Sequence, residues 1–131
     1  MGLFQNLFGR EDKETRKDEK TIPWIKLTSL DQFSALRENS NNRTQLIFKH
    51  STTCGISRMV LKMFTDGYAL SESQADLYFL DLHQYRNISS AVAQELGVQH
   101  QSPQLIVLKN GTVVTHASHG SIPDVALEKY V

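Results

Sequence analysis

The sequence predicts a single α/β domain built on a mixed central sheet with helices on both faces. Three observations lead there. Two apolar stretches, Leu46-Ile47-Phe48 and Leu77-Tyr78-Phe79-Leu80, lack polar alternation and read as strands covered on both sides. Each is followed by apolar positions at helical spacing, and a helix joining two strands implies parallel pairing. Late in the chain Asn110-Gly111 lies between two strand-like runs, a strong hairpin signal that implies antiparallel pairing there.

The elements follow in order. Trp24–Leu27 reads as a short strand. Ser29 and Gln32 take the N-cap and N3 places of a capping box, opening a helix to about Glu38. After the polar loop Asn39-Ser40-Asn41-Asn42 comes the strand Gln45–Lys49. Ile56, Met59, Val60, Met63 and Phe64 then repeat at helical spacing as far as Gly67, placed as a C-cap. Asp76–Leu82 is the next strand. Asn87 stands as N-cap of a helix with Ile88, Ala91, Val92 and Leu96 on one face, and Gly97 ends it. Gln104–Lys109 and Thr112–Thr115 form the hairpin. Ser121-Ile122-Pro123-Asp124 caps a last short helix bearing Val125, Leu127 and Tyr130. This order is the thioredoxin arrangement.

Length and composition narrow the function. The 131 residues suit one domain, and 14 basic against 14 acidic side chains give no electrostatic reason to expect nucleic acid. The longest apolar runs are four residues, far short of the ~20 of a membrane span, so no stable membrane insertion is expected. A single cysteine and no recognisable secretory signal fit a reducing cytoplasm. Residues 1–21 differ from the rest. Leu3, Phe4, Leu7 and Phe8 share one face of a possible short helix, and Arg10–Lys20 carries five basic and five acidic residues with nothing apolar. That stretch is expected to be a flexible charged segment preceding a domain at 22–131.

Cys54 carries the chemistry. It lies in His50-Ser51-Thr52-Thr53-Cys54-Gly55-Ile56-Ser57, after one predicted strand and before one predicted helix. A helix N-terminus offers unpaired N–H groups and partial positive charge, which stabilise a thiolate. Ser57 stands three residues on, where a dithiol oxidoreductase has its second cysteine, so no internal disulfide can close. Its hydroxyl is placed to donate to the thiolate. Thr52 and Thr53 read as N-cap candidates, and Lys49, His50 and Arg58 as solvated charges near the sulfur. Pro103 directly precedes a strand; in a thioredoxin arrangement that turn faces the cysteine and its proline is cis. Such a turn would offer the Ser102 backbone to an extended substrate, with His100, Gln101 and Gln104 as polar neighbours. His116 and His119 fall on opposite strand faces and no ligand set has zinc spacing, so no metal is expected.

The run Phe48-Lys49-His50-Ser51-Thr52-Thr53-Cys54-Gly55-Ile56-Ser57, then Leu77–Leu82, then Gln101-Ser102-Pro103-Gln104 with Asn110-Gly111, resembles the YtxJ-type monothiol bacilliredoxins. These are thioredoxin-fold proteins of the bacillithiol system. The resemblance implies that Cys54, aided by Ser57, removes a low-molecular-weight thiol from mixed disulfides on S-thiolated client proteins. Bacillithiol would be a co-substrate and no cofactor would be bound. Thr53, Gly55, Gln101, Ser102 and Pro103 would contact the substrate. Family members often have proline where this chain has Gly55. The glycine brings the motif within one residue of Cys-Gly-Phe-Ser, the mark of monothiol glutaredoxins that carry an iron–sulfur cluster. That second reading expects a Thr-Val-Pro turn and a late Gly-Gly, and this chain has neither. A third reading is a non-catalytic interaction module on the same fold.

Overall fold

The computed structural model describes residues 22–131, so the expected charged segment at 1–21 and its Leu3/Phe4/Leu7/Phe8 face lie outside the described residues. Five strands form one sheet: β1 (Trp24–Lys26), β2 (Thr44–His50), β3 (Ala75–Asp81), β4 (Gln104–Lys109) and β5 (Thr112–Ser118). Their spatial order is β1-β3-β2-β4-β5. The pairs β1–β3 and β2–β3 are parallel, whereas β2–β4 and β4–β5 are antiparallel. The expected mixed sheet is therefore the observed one. Three helices, α1 (Leu30–Asn39), α2 (Gly55–Gly67) and α3 (Arg86–Leu96), supply the crossovers.

Strand alternation divides the core into two layers. On one face Ile47, Tyr78, Leu80, Ile106 and Leu108 pack against Phe33 and Leu36 of α1 and Ile88 and Val92 of α3. On the other, Leu46, Phe48, Leu77, Leu105 and Val107 meet Val60 and Phe64 of α2. Trp24 closes the second layer edge-on to Phe48 and Phe79. Every residue of β2 is buried, as the absence of alternation in its sequence requires.

Helix ends show where local chemistry holds and where packing overrides it. Ser29 Oγ accepts the Gln32 N–H at 3.1 Å, as a capping box demands. The Gln32 side chain reaches one residue further back, accepting from Thr28 N–H and donating to the Lys26 carbonyl, both at 2.8 Å. Gly97 adopts the left-handed conformation (φ 69°) that ends α3.

Asn87 is not the N-cap of α3. The helix begins at Arg86 after Tyr85, because Asp81 Oδ1 accepts the N–H groups of His83 and Gln84 and turns the chain early. Gly67 remains helical, and Tyr68 ends α2 with an ordinary φ of −72°. The expected last helix is instead two 3₁₀ turns, His119–Asp124 and Leu127–Tyr130, the first containing Pro123. Proline has no N–H to continue an α ladder there. β5 runs on to Ser118, past the expected Thr115. Of the apolar row on α2, Val60 and Phe64 are buried, while Ile56, Met59 and Met63 remain 55%, 58% and 49% exposed. Helical spacing marks a face, but the sheet covers only part of it.

Candidate active site

β2 delivers the cysteine. The strand ends at His50, three residues turn, and Cys54 becomes the N-cap of α2 in extended backbone geometry (φ −106°, ψ 124°). Thr52 and Thr53 are thus not the cap; both are exposed on the turn before it. No side chain caps this helix, so its first N–H groups are left for the sulfur. The Cys54 thiol lies below the usual cysteine range. The Ser57 N–H is the main cause, followed by the Ile56 N–H; desolvation opposes them, and the Ser57 hydroxyl and the Arg58 charge add smaller lowering effects. Cys54 is partly exposed and is the free cysteine of the chain.

Ser57 is completely buried beneath the sulfur, and its Oγ lies 3.5 Å from Ser102 Oγ. That contact joins the two halves of the site. Ser102-Pro103 is a cis peptide, as expected from the arrangement. The Gln101-Ser102-Pro103 turn is thereby set against the first turn of α2, with Gln101 and Ser102 half-buried and Pro103 buried. Gln104 does not face a ligand. It is buried, its Nε2 donates to the Gln99 carbonyl at 2.9 Å, and its Oε1 accepts from Gln101 N–H at 3.4 Å, so it braces the turn. His119 N–H donates to the Pro103 carbonyl at 3.0 Å and fixes the far end. Gly55 is exposed, and a Cβ there would meet only the end of Arg58 at an ordinary 3.8 Å.

The charges around the loop are not all solvated. Lys49 and His50 are buried on opposite sheet faces. Burial holds the Lys49 ammonium down to about 8. It also lowers His50, with Asp81 acting against that shift and Arg58 adding to it. Arg58 alone of the three stays in solvent, with its guanidinium near the Thr52 carbonyl. Alternation within β2 decides this: the last residues of a strand covered on both faces are covered too, whatever their polarity.

A network that sequence reading missed supports the turn before Cys54. Ser51 Oγ and His83 Nε2 are 2.7 Å apart, and Thr53 Oγ1 lies 3.2 Å from the same nitrogen. His83 follows β3, 32 residues after Ser51, and only the parallel register His50↔Asp81 brings them together. His100, grouped with the substrate turn by sequence, contacts Lys49 and Ser89. Among the described residues, no three His, Cys, Asp or Glu side chains gather into a metal-binding group.

A helix-capping cysteine facing a cis-proline turn on a β1-β3-β2-β4-β5 sheet defines a thioredoxin-fold thiol–disulfide oxidoreductase. Residues 25–127 match the family of the monothiol bacilliredoxin BrxC, and the chain belongs to that family. Among solved structures it is similar to a candidate oxidoreductase with a thioredoxin fold, at 36% identity and a TM-score of 0.69, covering 82% of this chain and 92% of that one. It is also similar to a yeast mitochondrial protein structure concerned with thiol resolution of a 1-Cys peroxiredoxin. That match has 27% identity and a TM-score of 0.59, over 80% and 90% of the two chains. A thioredoxin from Malassezia sympodialis, at 20% identity and a TM-score of 0.61 over 86% and 93%, shares the fold.

Proposed function

We propose that the protein removes a low-molecular-weight thiol, bacillithiol by family, from mixed disulfides on client proteins. One observation carries the reading: Cys54 is activated by α2 backbone N–H groups, and the resolving position holds Ser57, which cannot form a disulfide. The Cys54 thiolate attacks the small-thiol sulfur of the mixed disulfide. The Cys54–small-thiol S–S bond forms, the client's S–S bond breaks, and the client leaves as a thiolate that takes up a proton. A second small-thiol thiolate then attacks the capped small-thiol sulfur. This releases a symmetric small disulfide and regenerates the Cys54 thiolate, so the client is reduced and the small thiol oxidised. Thr53, Gly55, Gln101, Ser102 and Pro103 form the rim on which the substrate rests, and the reducing cytoplasm is the compartment this cycle suits.

Intact mass spectrometry tests the scheme. Wild type incubated with oxidised bacillithiol should accumulate a one-thiol adduct at Cys54, and excess reduced thiol should remove it. Ser57→Cys should replace the adduct by an internal disulfide two mass units below the reduced chain. Absence of the wild-type adduct under these conditions would refute the exchange mechanism.

A further inference from the structure

On the face of the sheet away from α2, a cavity of about 550 Å³ opens between α3 and the segment leading to the Ser102-Pro103 turn. That volume lies within the roughly 300–1,000 Å³ range of small-molecule sites. Arg86, Ser89, Ser90, Gln94, Gln99 and His100 supply its polar wall, and among the described residues no carboxylate lines it. Behind the wall lies the Lys49 ammonium, 3.2 Å from His100 Nδ1 and 3.4 Å from the Ser89 carbonyl. Lys49 is 0% exposed, and neither partner carries a negative charge.

Buried ammonium groups are ordinarily paired with an anion, because desolvation is otherwise uncompensated. The acidic residue of α3, Glu95, is engaged at 2.9 Å with Arg37 of α1. Since Lys49 donates to Nδ1, the His100 proton is on Nε2, an additional donor on an exposed ring. The pocket thus gathers a guanidinium, an imidazole N–H and serine and glutamine groups around a space with no counter-charge among the described residues, with the Lys49 ammonium buried behind its wall.

We infer that this pocket is a subsite for a small carboxylate-bearing ligand, bound through Arg86 and His100 and stabilised by the charge of Lys49. His100 precedes Ser102 by two residues, at most ~7 Å of chain. Ser102 in turn touches Ser57 under the thiol. The subsite and Cys54 therefore flank one turn. The carboxylate has two sources: the charged arm of the small thiol, which rests on the function proposed above, or a free carboxylic acid.

The test is titration of the isotope-labelled full chain with succinate, followed by NMR, with neutral succinamide as the control. Succinate should shift the Ser89, Gln94, Gln99 and His100 amides saturably, and succinamide should not. Lys49→Met should weaken binding by up to about tenfold, through loss of the buried charge and of its hold on His100. Arg86→Gln, an exposed change that leaves the fold intact, should weaken it as well and decides the matter if Lys49→Met does not fold. Lack of saturable shifts, equal affinity for the amide, or unchanged affinity in the folded variants overturns the subsite.

Competition then separates the sources. Slower thiolation of Cys54 by oxidised glutathione in the presence of succinate, with bis(2-hydroxyethyl) disulfide unaffected, assigns the subsite to the small thiol's charged arm. If succinate binds and slows neither, the ligand is a free carboxylate. A Cys54 that reacts with neither disulfide overturns the exchange reaction and leaves the titration as the measure of the subsite.

Discussion

At Cys54 two kinds of donor stabilise the thiolate, and they are separable by mutation. The backbone N–H groups of Ser57 and Ile56 belong to the helix, whereas the Ser57 hydroxyl belongs to one side chain. Ser57→Ala removes only the hydroxyl. The midpoint of the alkylation rate against pH should therefore rise relative to wild type yet stay below that of a free cysteine. The sign follows from the reactive species: the thiolate is the nucleophile, so the rate is fully developed above the thiol's pKa and falls as pH drops through it. A variant midpoint equal to that of an unfolded peptide would mean that the hydroxyl, and not the helix, activates the sulfur.

The first turn of α2 is the element on which the site depends. Gly55 is its N1 residue, with no left-handed backbone and with only an ordinary contact, to the end of Arg58, at the Cβ position. Proline suits N1, where its missing N–H is one of the unpaired groups and its φ is already helical. The residue before a proline must be extended, and Cys54 already is. Gly55→Pro should therefore stabilise the fold by ~0.4–1 kcal/mol through the unfolded chain. The thiolate donors, Ile56 and Ser57, are untouched, so the alkylation midpoint should not move. Urea unfolding and alkylation of the same sample check both halves. At the other end of the molecule, the Asn110-Gly111 turn has φ of 53° and 80°, and its N–H groups bond to the Ser40 carbonyl and Oγ at the end of α1. A hairpin turn legible in sequence is thus also a tie between elements that are distant in it.

Across the whole molecule, the covered central strands of the sheet set the protonation of their own polar residues. The folded chain holds Lys49 at about 8, against 10.5 for an ordinary lysine. Below about 8 both states carry the charge, and only the folded one bears its desolvation. Between about 8 and 10.5 the folded chain has lost a proton that the unfolded chain keeps, so unfolding takes up a proton and stability rises with pH. The difference in unfolding free energy between wild type and Lys49→Met should grow in favour of wild type across that interval. Tyr68 and Tyr78, raised by burial, act in the opposite sense only beyond about 10 and are common to both chains. A difference independent of pH would show that Lys49 titrates as in water. Added succinate should flatten the slope if the anion subsite beside α3 is real.

Local rules sufficed wherever the physical cause was local. The unalternated strands, the Ser29 cap, the Gly97 stop and the Asn110-Gly111 turn each follow from a few neighbouring residues, and together they imply the mixed sheet. The Cys54–Ser57 spacing was equally legible, since both belong to one helical turn. Tertiary structure decided what depended on distant chain. Asp81 moved the start of α3 away from Asn87, and the parallel register placed His83 against Ser51 and Thr53. Covering both sheet faces buried Lys49 and His50, which the sequence presents as ordinary surface charges. Gln104 likewise became a brace for the turn because its strand lies inside the sheet, between β2 and β5. A side chain's type is written in the sequence, but its solvent exposure and partners are set by what the rest of the chain places over it.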